Sequence, residues 1–234
     1  MNRKKVLKVL SIIPARGGSK SIPHKNIVDI NGRPLIVWTI KASLKSKHIN
    51  TTIVSSDDME ILGISKKAGA RIIVRPKKYS RDDSTIVPVI KDCIKQLFNL
   101  GEEFDIVVLL QPTSPLRNHK DIDEAFDIFF KSNAKSLISV YEPEKSPYKS
   151  FKIDKNGYLE GLINSKTPFM NRQDLPKTFY PNGAIYIINI KDFIENNSLF
   201  CSKTIPYLMS EERSVDVDSM DDVKKIKKIM KLKK

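Results

Sequence analysis

The stretch SIIPARGGSKSIPHKN (11–26) sets an apolar run directly against two glycines and a group of cations. Gly17 and Gly18 allow a backbone to approach an anion closely, and successive N–H groups can point into one concavity. Arg16, Lys20 and Lys25 add charge of two kinds. A guanidinium chelates phosphate oxygens, while an ammonium acts as a mobile point charge. The spacing is neither that of a Walker A loop nor G-x-G-x-x-G, and a basic surface loop shares its composition. Far along the chain, SVDVDSMDD (214–222) alternates Asp216 and Asp218. On an extended segment both carboxylates face one side. They repel each other unless a cation joins them, and oxygen ligands suit Mg²⁺, although a bare D-x-D also fits a solvated pair. A third block, LLQPTSPLR (109–117), ends an apolar run with Gln111 and a rigid Pro- and Ser-containing turn. A glutamine both donates and accepts, which suits sugar hydroxyls, but it can equally satisfy a turn backbone.

Such residues need elements to hold them. Short apolar runs at 6–13, 51–55, 71–75, 105–111, 136–140 and 184–190 read as strands. Helical patterns fall at about 34–46, 58–68, 85–99 and 120–131, with Asp57–Asp58 and Asn118–Asp121 as start signals. This alternation predicts an α/β fold with a mainly parallel sheet covered on both faces. In such sheets ligands bind beyond the carboxyl ends of the strands, where the glycine loop leaves the first one. The alternation stops near Val140. Residues 141–183 are rich in Pro, Asn, Lys and aromatics, carry a hairpin signal at Asn156–Gly157, and read as an insertion within one domain spanning 1–234. The final segment, with Ser219 as N-cap and Asp221 and Asp222 as capping acids, reads as a helix that docks Met220, Val223, Ile226 and Met230 on the sheet.

The chain of 234 residues is 40% hydrophobic and 29% charged, a globular balance. No apolar run reaches the roughly 20 residues that span a bilayer. The start, MNRKKVLKVLSIIPARGG, reads as a first strand rather than a signal peptide. Cys93 and Cys201 form no CxxC or Cys/His cluster, which argues against zinc and for a reducing, cytoplasmic setting; Cys93 reads as a buried small residue. His24, His48 and His119 are dispersed, without metal-ligand spacing. A net charge of +14 points to anionic partners or to a solvated basic surface.

The chain resembles the CMP-sialic acid synthetases, or acylneuraminate cytidylyltransferases. The resemblance rests on IIPARGGSKSIPHKN, LLQPTSPLR, RQDLPKTFYPNGAIY (172–186) and SVDVD, in the family's order across nearly the whole chain. Ser21 stands where the first motif usually has glycine. The resemblance implies a Rossmann-like three-layer α/β/α fold with a dimerisation insertion. It also implies CMP transfer from CTP to the anomeric hydroxyl of a nine-carbon acidic sugar, with Mg²⁺ (or Mn²⁺) and release of pyrophosphate. It assigns the nucleotide to Ala15, Arg16, Gly17, Gly18, Ser19, Lys20, Lys25, Asn26 and Arg75, the last of which also reads as a strand-end surface charge. Catalysis falls to Arg16, Lys25 and Asp218, and the metal to Asp216 and Asp218. The sugar falls to Gln111, Lys149, Arg172, Tyr186 and Phe200, with core packing as a second reading of Tyr186. The family dimerises through the insertion, so Lys149 serves either its own or a neighbouring subunit's site. The run SRDDST (80–85) is expected near cytosine. The implied partners are CTP, the acidic sugar and a second copy of the chain, with no nucleic acid and no membrane. Three other readings compete: a cytidylyltransferase for another acidic sugar such as Kdo, a basic nucleic-acid-binding protein that explains the charge but neither the Gln111 block nor the paired aspartates, and a catalytically silent relative.

Overall fold

The computed structural model describes residues 6–81 and 83–232; Asp82 of the SRDDST run and the first five residues lie outside them. The first apolar run forms strand β1 (Val9–Pro14), which pairs in parallel with β2 (Thr51–Ser56) on one side and β4 (Ile106–Leu109) on the other. β3 (Arg71–Val74) extends the sheet beside β2. On the far side the order continues through β8 (Tyr180–Asn189) and β5 (Ser136–Tyr141) to β9 (Thr204–Leu208), giving β3-β2-β1-β4-β8-β5-β9. β8 runs antiparallel to both of its neighbours, so the seven-stranded sheet is mainly parallel. A separate hairpin pairs β6 (Phe151–Ile153) with β7 (Leu159–Gly161).

Successive side chains of β1 point to opposite faces, and each face meets its own helices. Val9 and Ile13 pack with Ile36 and Ile40 of α1 (Leu35–Lys45), Ile61 of α2 (Met59–Lys67), and Ile122 and Phe126 of α4 (His119–Lys131). Leu10 and Ile12 pack with Ile90, Cys93 and Leu97 of α3 (Ile86–Asn99) and Phe193 of α5 (Ile190–Asn196). Three layers result, as expected. The helix starts are built from the signals seen in the chain. Asp58 accepts from the N–H groups of Glu60 and Ile61, and Asn118 and Asp121 form a reciprocal capping box.

Two expectations change. The last helix, α6 (Met220–Leu232), does not dock on the sheet. Its Val223, Ile226 and Ile229 join Ile22, Ile30, Leu35, Leu116 and Val217 in a separate cluster at the carboxyl-end rim, while Met220 is exposed. The reason is the phase of the helix: Ile229, not Met220, completes its apolar stripe. Strand β9 has no clear signal in the chain, because Pro206 interrupts its run. It is an edge strand, where a missing N–H costs little.

Candidate functional site

A cleft of about 390 Å³ opens at the carboxyl ends of β1, β3 and β4. Its first wall is the glycine loop. Ala15 stays in the sheet, its N–H donating to Ser55 O at 2.9 Å, so the chain turns away only at Arg16. Asn26 is buried and donates from Nδ2 to Arg16 O at 3.0 Å, which pins the loop at its base. The Gly17 N–H donates to Asp57 Oδ1 at 3.1 Å. A Cβ at Gly17 would lie 2.7 Å from Asp58 Oδ2 and 2.8 Å from Asp58 Cβ, so this position admits no side chain. A Cβ at Gly18 would meet open space. Arg16, Ser19, Lys25 and Asn26 line the cleft; Lys20 is exposed and does not.

Arg75 supplies the floor. It is buried, not a surface charge, because the β2 end folds over it: Nε donates to Ser55 Oγ at 3.2 Å and Nη2 to Ser55 O at 2.6 Å. Burial lowers its pKa, and the charge of Arg16 acts in the same direction. The Cys93 thiol nearby is pushed up to about 11 by burial, which suits a packed, unreactive cysteine. Arg81, Ser84 and Thr85 of the SRDDST run also reach the cleft, with Tyr79, Ile86 and Val89. The Arg16 guanidinium donates to Arg81 O at 3.3 Å. Helix α3 begins on this wall with no side-chain cap, leaving its first N–H groups to a ligand or to water. Arg16, Lys25, Arg75 and Arg81 thus converge on one cavity, which favours a polyanion.

The opposite wall is acidic. Val217 is buried and its N–H donates to Thr113 O at 2.9 Å, so Asp216 and Asp218 flank a fixed residue and both line the cleft. Asp218 is exposed and accepts from Lys25 Nζ at 3.0 Å. Asp216 is largely buried. Burial raises its pKa, and the Asp218 charge adds to this, while a hydrogen bond from Thr113 and the Lys25 charge oppose it. Its Oδ1 is buried without any hydrogen-bond partner. An orphaned carboxylate oxygen beside a second carboxylate fits a divalent cation. No group of three or more His, Cys, Asp and Glu suited to a metal occurs among the described residues. Mg²⁺ commonly takes one or two carboxylates and completes its shell with phosphate oxygens and water, so the pair suffices.

The residues expected at the sugar are divided. Gln111 lines the cleft. Its amide packs against Gly183, where any Cβ would overlap Gln111 Oε1, and Gly183 holds φ +72°. Tyr186 is paired with Leu109 on β8 and only partly buried. Burial raises its phenol pKa, and the Asp216 charge adds to the shift. Arg172 lines a separate hollow of about 350 Å³ with Glu142, Ser146 and Lys177. Lys149 sits in the short turn Pro147–Lys149 next to the β6–β7 hairpin, outside the cleft. Phe200 is 67% exposed and stands at the wrong end of the sheet: adjacent Cys201 has its Sγ 3.4 Å from Ser136 Oγ, at the start of β5. Tyr79 and Thr113 also line the cleft. Neither residue type signals a ligand site by itself, and in the chain Thr113 is overshadowed by the prolines on either side of its turn.

Residues 10–228 match the family model described as Cytidylyltransferase. The chain is 35% identical over 218 residues to the N-acylneuraminate cytidylyltransferase of Streptococcus agalactiae serotype V, covering 92% of this chain but only 52% of that protein. It therefore spans about half the length of that relative. It is 32% identical over 227 residues to the pseudaminic acid cytidylyltransferase of Campylobacter jejuni serotype O:23/36, covering 97% of both. A solved structure of CMP:2-keto-3-deoxy-manno-octonic acid synthetase superposes with a TM-score of 0.69 at 16% identity, covering 97% of this chain and 100% of the other, a likeness of fold.

Proposed function

The chain belongs to the cytidylyltransferase family, and from that premise we propose that it transfers CMP from CTP to the anomeric hydroxyl of a nine-carbon acidic sugar. The observation that carries this reading is the two-sided cleft, with Arg16, Lys25 and Arg75 facing Asp216, its unpartnered Oδ1, and Asp218. In the reaction the sugar oxygen forms a bond to the α-phosphorus, the bond from that phosphorus to the β-phosphate oxygen breaks, and pyrophosphate leaves. Positioning and charge neutralisation do most of the work in such a transfer. Arg16 and Arg75 hold phosphate oxygens, and Lys25 stands between triphosphate and carboxylates. Mg²⁺ (or Mn²⁺), held by Asp216 and Asp218, supplies further positive charge at the phosphates when bound. Gln111 orients the sugar through its hydroxyls.

The relatives named for N-acylneuraminate and for pseudaminic acid stand at 35% and 32% identity, so identity does not choose between these sugars or legionaminate. We read residues 141–183 as a dimerisation arm. Phe169 is 81% exposed there, with Ile153, Tyr158 and Leu159 also open to solvent. Lys149 and Arg172 lie on this arm and outside the cleft of their own chain, which favours delivery to the carboxylate in a neighbouring subunit's cleft. No helix among the described residues is long and apolar enough to cross a membrane. A cytoplasmic site, where CTP is made, completes the proposal.

The test is pyrophosphate release with CTP and Mg²⁺ against N-acetylneuraminate, legionaminate, pseudaminate and Kdo. Release with one nine-carbon sugar, lost with EDTA, is expected. Release with Kdo alone overturns the sugar assignment, and release with none overturns the activity.

A further inference from the structure

Arg117 is 1% exposed, and among the described residues it makes no ion pair. Burial pushes its guanidinium down to about 10, and the nearby Asp121 carboxylate is already engaged by Arg213. Its Nη1 is buried with no partner at all. The Asp121 charge offsets the cost of burial only in part, and a buried cation without a direct ion pair works against the fold, so a reason for it is to be sought in what its other atoms hold. Nη2 donates to Gln111 O at 3.2 Å and to Thr39 Oγ1 at 2.9 Å, and Nε donates to Ala184 O at 3.3 Å. One side chain therefore ties the end of β4, helix α1 and the β8 residue that follows Gly183. Gln111 and Gly183 are the pair whose contact seats the Gln111 amide in the cleft.

We propose that Arg117 is a positioning residue, which fixes the Gln111 amide against Gly183 by holding the main-chain oxygens on both sides of that contact. The sugar-side consequence rests on the function proposed above. A lysine has a compact ammonium in place of the rigid fork and reproduces the Nε and Nη2 contacts poorly.

The experiment compares wild type, Arg117→Lys and Thr39→Val, the second variant leaving Arg117 in place and removing the hydroxyl that accepts from it and itself donates to Gln111 O at 3.5 Å. Sugar KM and kcat are measured beside the CTP Kd. Arg117→Lys is expected to lower kcat/KM for the sugar about 10–100-fold, the range for lost supporting contacts, with the CTP Kd nearly unchanged. Thr39→Val changes the same parameter in the same direction by less. Parallel loss of CTP binding indicates general loosening and overturns the inference, as do wild-type parameters in both variants. The side-chain amide NMR signals of Gln111, assigned with Gln111→Glu, read its position without any sugar. Their shift in both variants supports the inference; unmoved signals overturn it. A wild type that turns over no sugar while these signals shift overturns the proposed function alone.

Discussion

Asp216→Asn should stabilise the ligand-free protein and disable it in the same stroke. The carboxylate is largely buried, Oδ1 has no donor, and Asp218 adds negative charge beside it. Its pKa is accordingly raised, by burial first. A carboxyl raised in the folded state favours folding fully below the ordinary aspartate range, and that contribution is lost as pH rises through the raised value. At neutral pH the ionised side chain therefore works against the fold. Asparagine keeps the shape and can still accept from Thr113, but removes the charge. A poorly satisfied buried group costs roughly 1–3 kcal/mol, and the low end suits a side chain at a cleft wall. A gain of about 1 kcal/mol raises Tm by roughly 2–4 °C for a chain of this size. Turnover should fall on the order of 10²–10³-fold, the scale seen when one preorganised charge-stabilising contact is lost. Thermal unfolding without ligand, followed from neutral pH downward, is paired with pyrophosphate release. The Tm advantage should shrink with acidification as the wild-type carboxyl takes up its proton. A variant less stable than wild type at neutral pH, or one with near-normal turnover, refutes the reasoning.

Gly17→Ala places a Cβ 2.7 Å from Asp58 Oδ2, forcing the glycine loop or the α2 cap to move. At the usual overpacking cost of about 1–3 kcal/mol it should lower Tm and weaken CTP binding together, and unchanged CTP affinity by calorimetry would contradict the loop's role. Asp218→Asn removes an exposed carboxylate from a largely buried Lys25, and the amide oxygen can still accept from that ammonium, so stability should change by about 1 kcal/mol or less. Its turnover should nonetheless fall on the order of 10²-fold, and normal Mg²⁺-dependent release would remove the metal assignment. Arg172→Ala should raise the sugar KM and leave the CTP Kd alone; mixed with Asp218→Asn subunits it should recover activity if the arm serves a neighbouring cleft, and a mixture as inactive as its parts would confine Arg172 to its own chain.

The parts of the fold that could be read from the chain are those with local causes. β1 is a continuous apolar run, Asn118 and Asp121 sit at capping spacing, and the β6–β7 turn follows from Asn156–Gly157, with Gly157 at φ +87°. Strand direction has no such cause. The run at 184–190 carries nothing to say that β8 inserts antiparallel between two parallel strands; the pairing of Ile187 with both Val108 and Leu137 decides it. The candidate site divides in the same way. The glycine loop and the aspartate pair announce themselves by residue type. The burial of Arg75 depends on which strand covers it, and the location of Phe200 depends on where β9 joins the sheet. Both are long-range outcomes that motif matching cannot supply.

The two walls of the cleft come from opposite ends of the chain, and their alignment needs a mechanical cause. Lys25 and Asp218 meet at 3.0 Å although 193 positions separate them. The rim cluster provides one link. Ile22 of the glycine loop, Leu116 of the turn after Gln111, and Val217 between the aspartates share one buried cluster with Val223, Ile226 and Ile229 of α6. Each functional segment thus sets an apolar side chain into one small core, so displacing one strains the others. Arg213 provides a second link just before the aspartates. It holds both oxygens of Asp121, the acid of the α4 capping box, and its Nη2 donates to Leu116 O at 3.1 Å. The terminal helix and this ion pair touch no cleft surface. They nevertheless set the distance between the cations and the carboxylates, the quantity on which the proposed site turns.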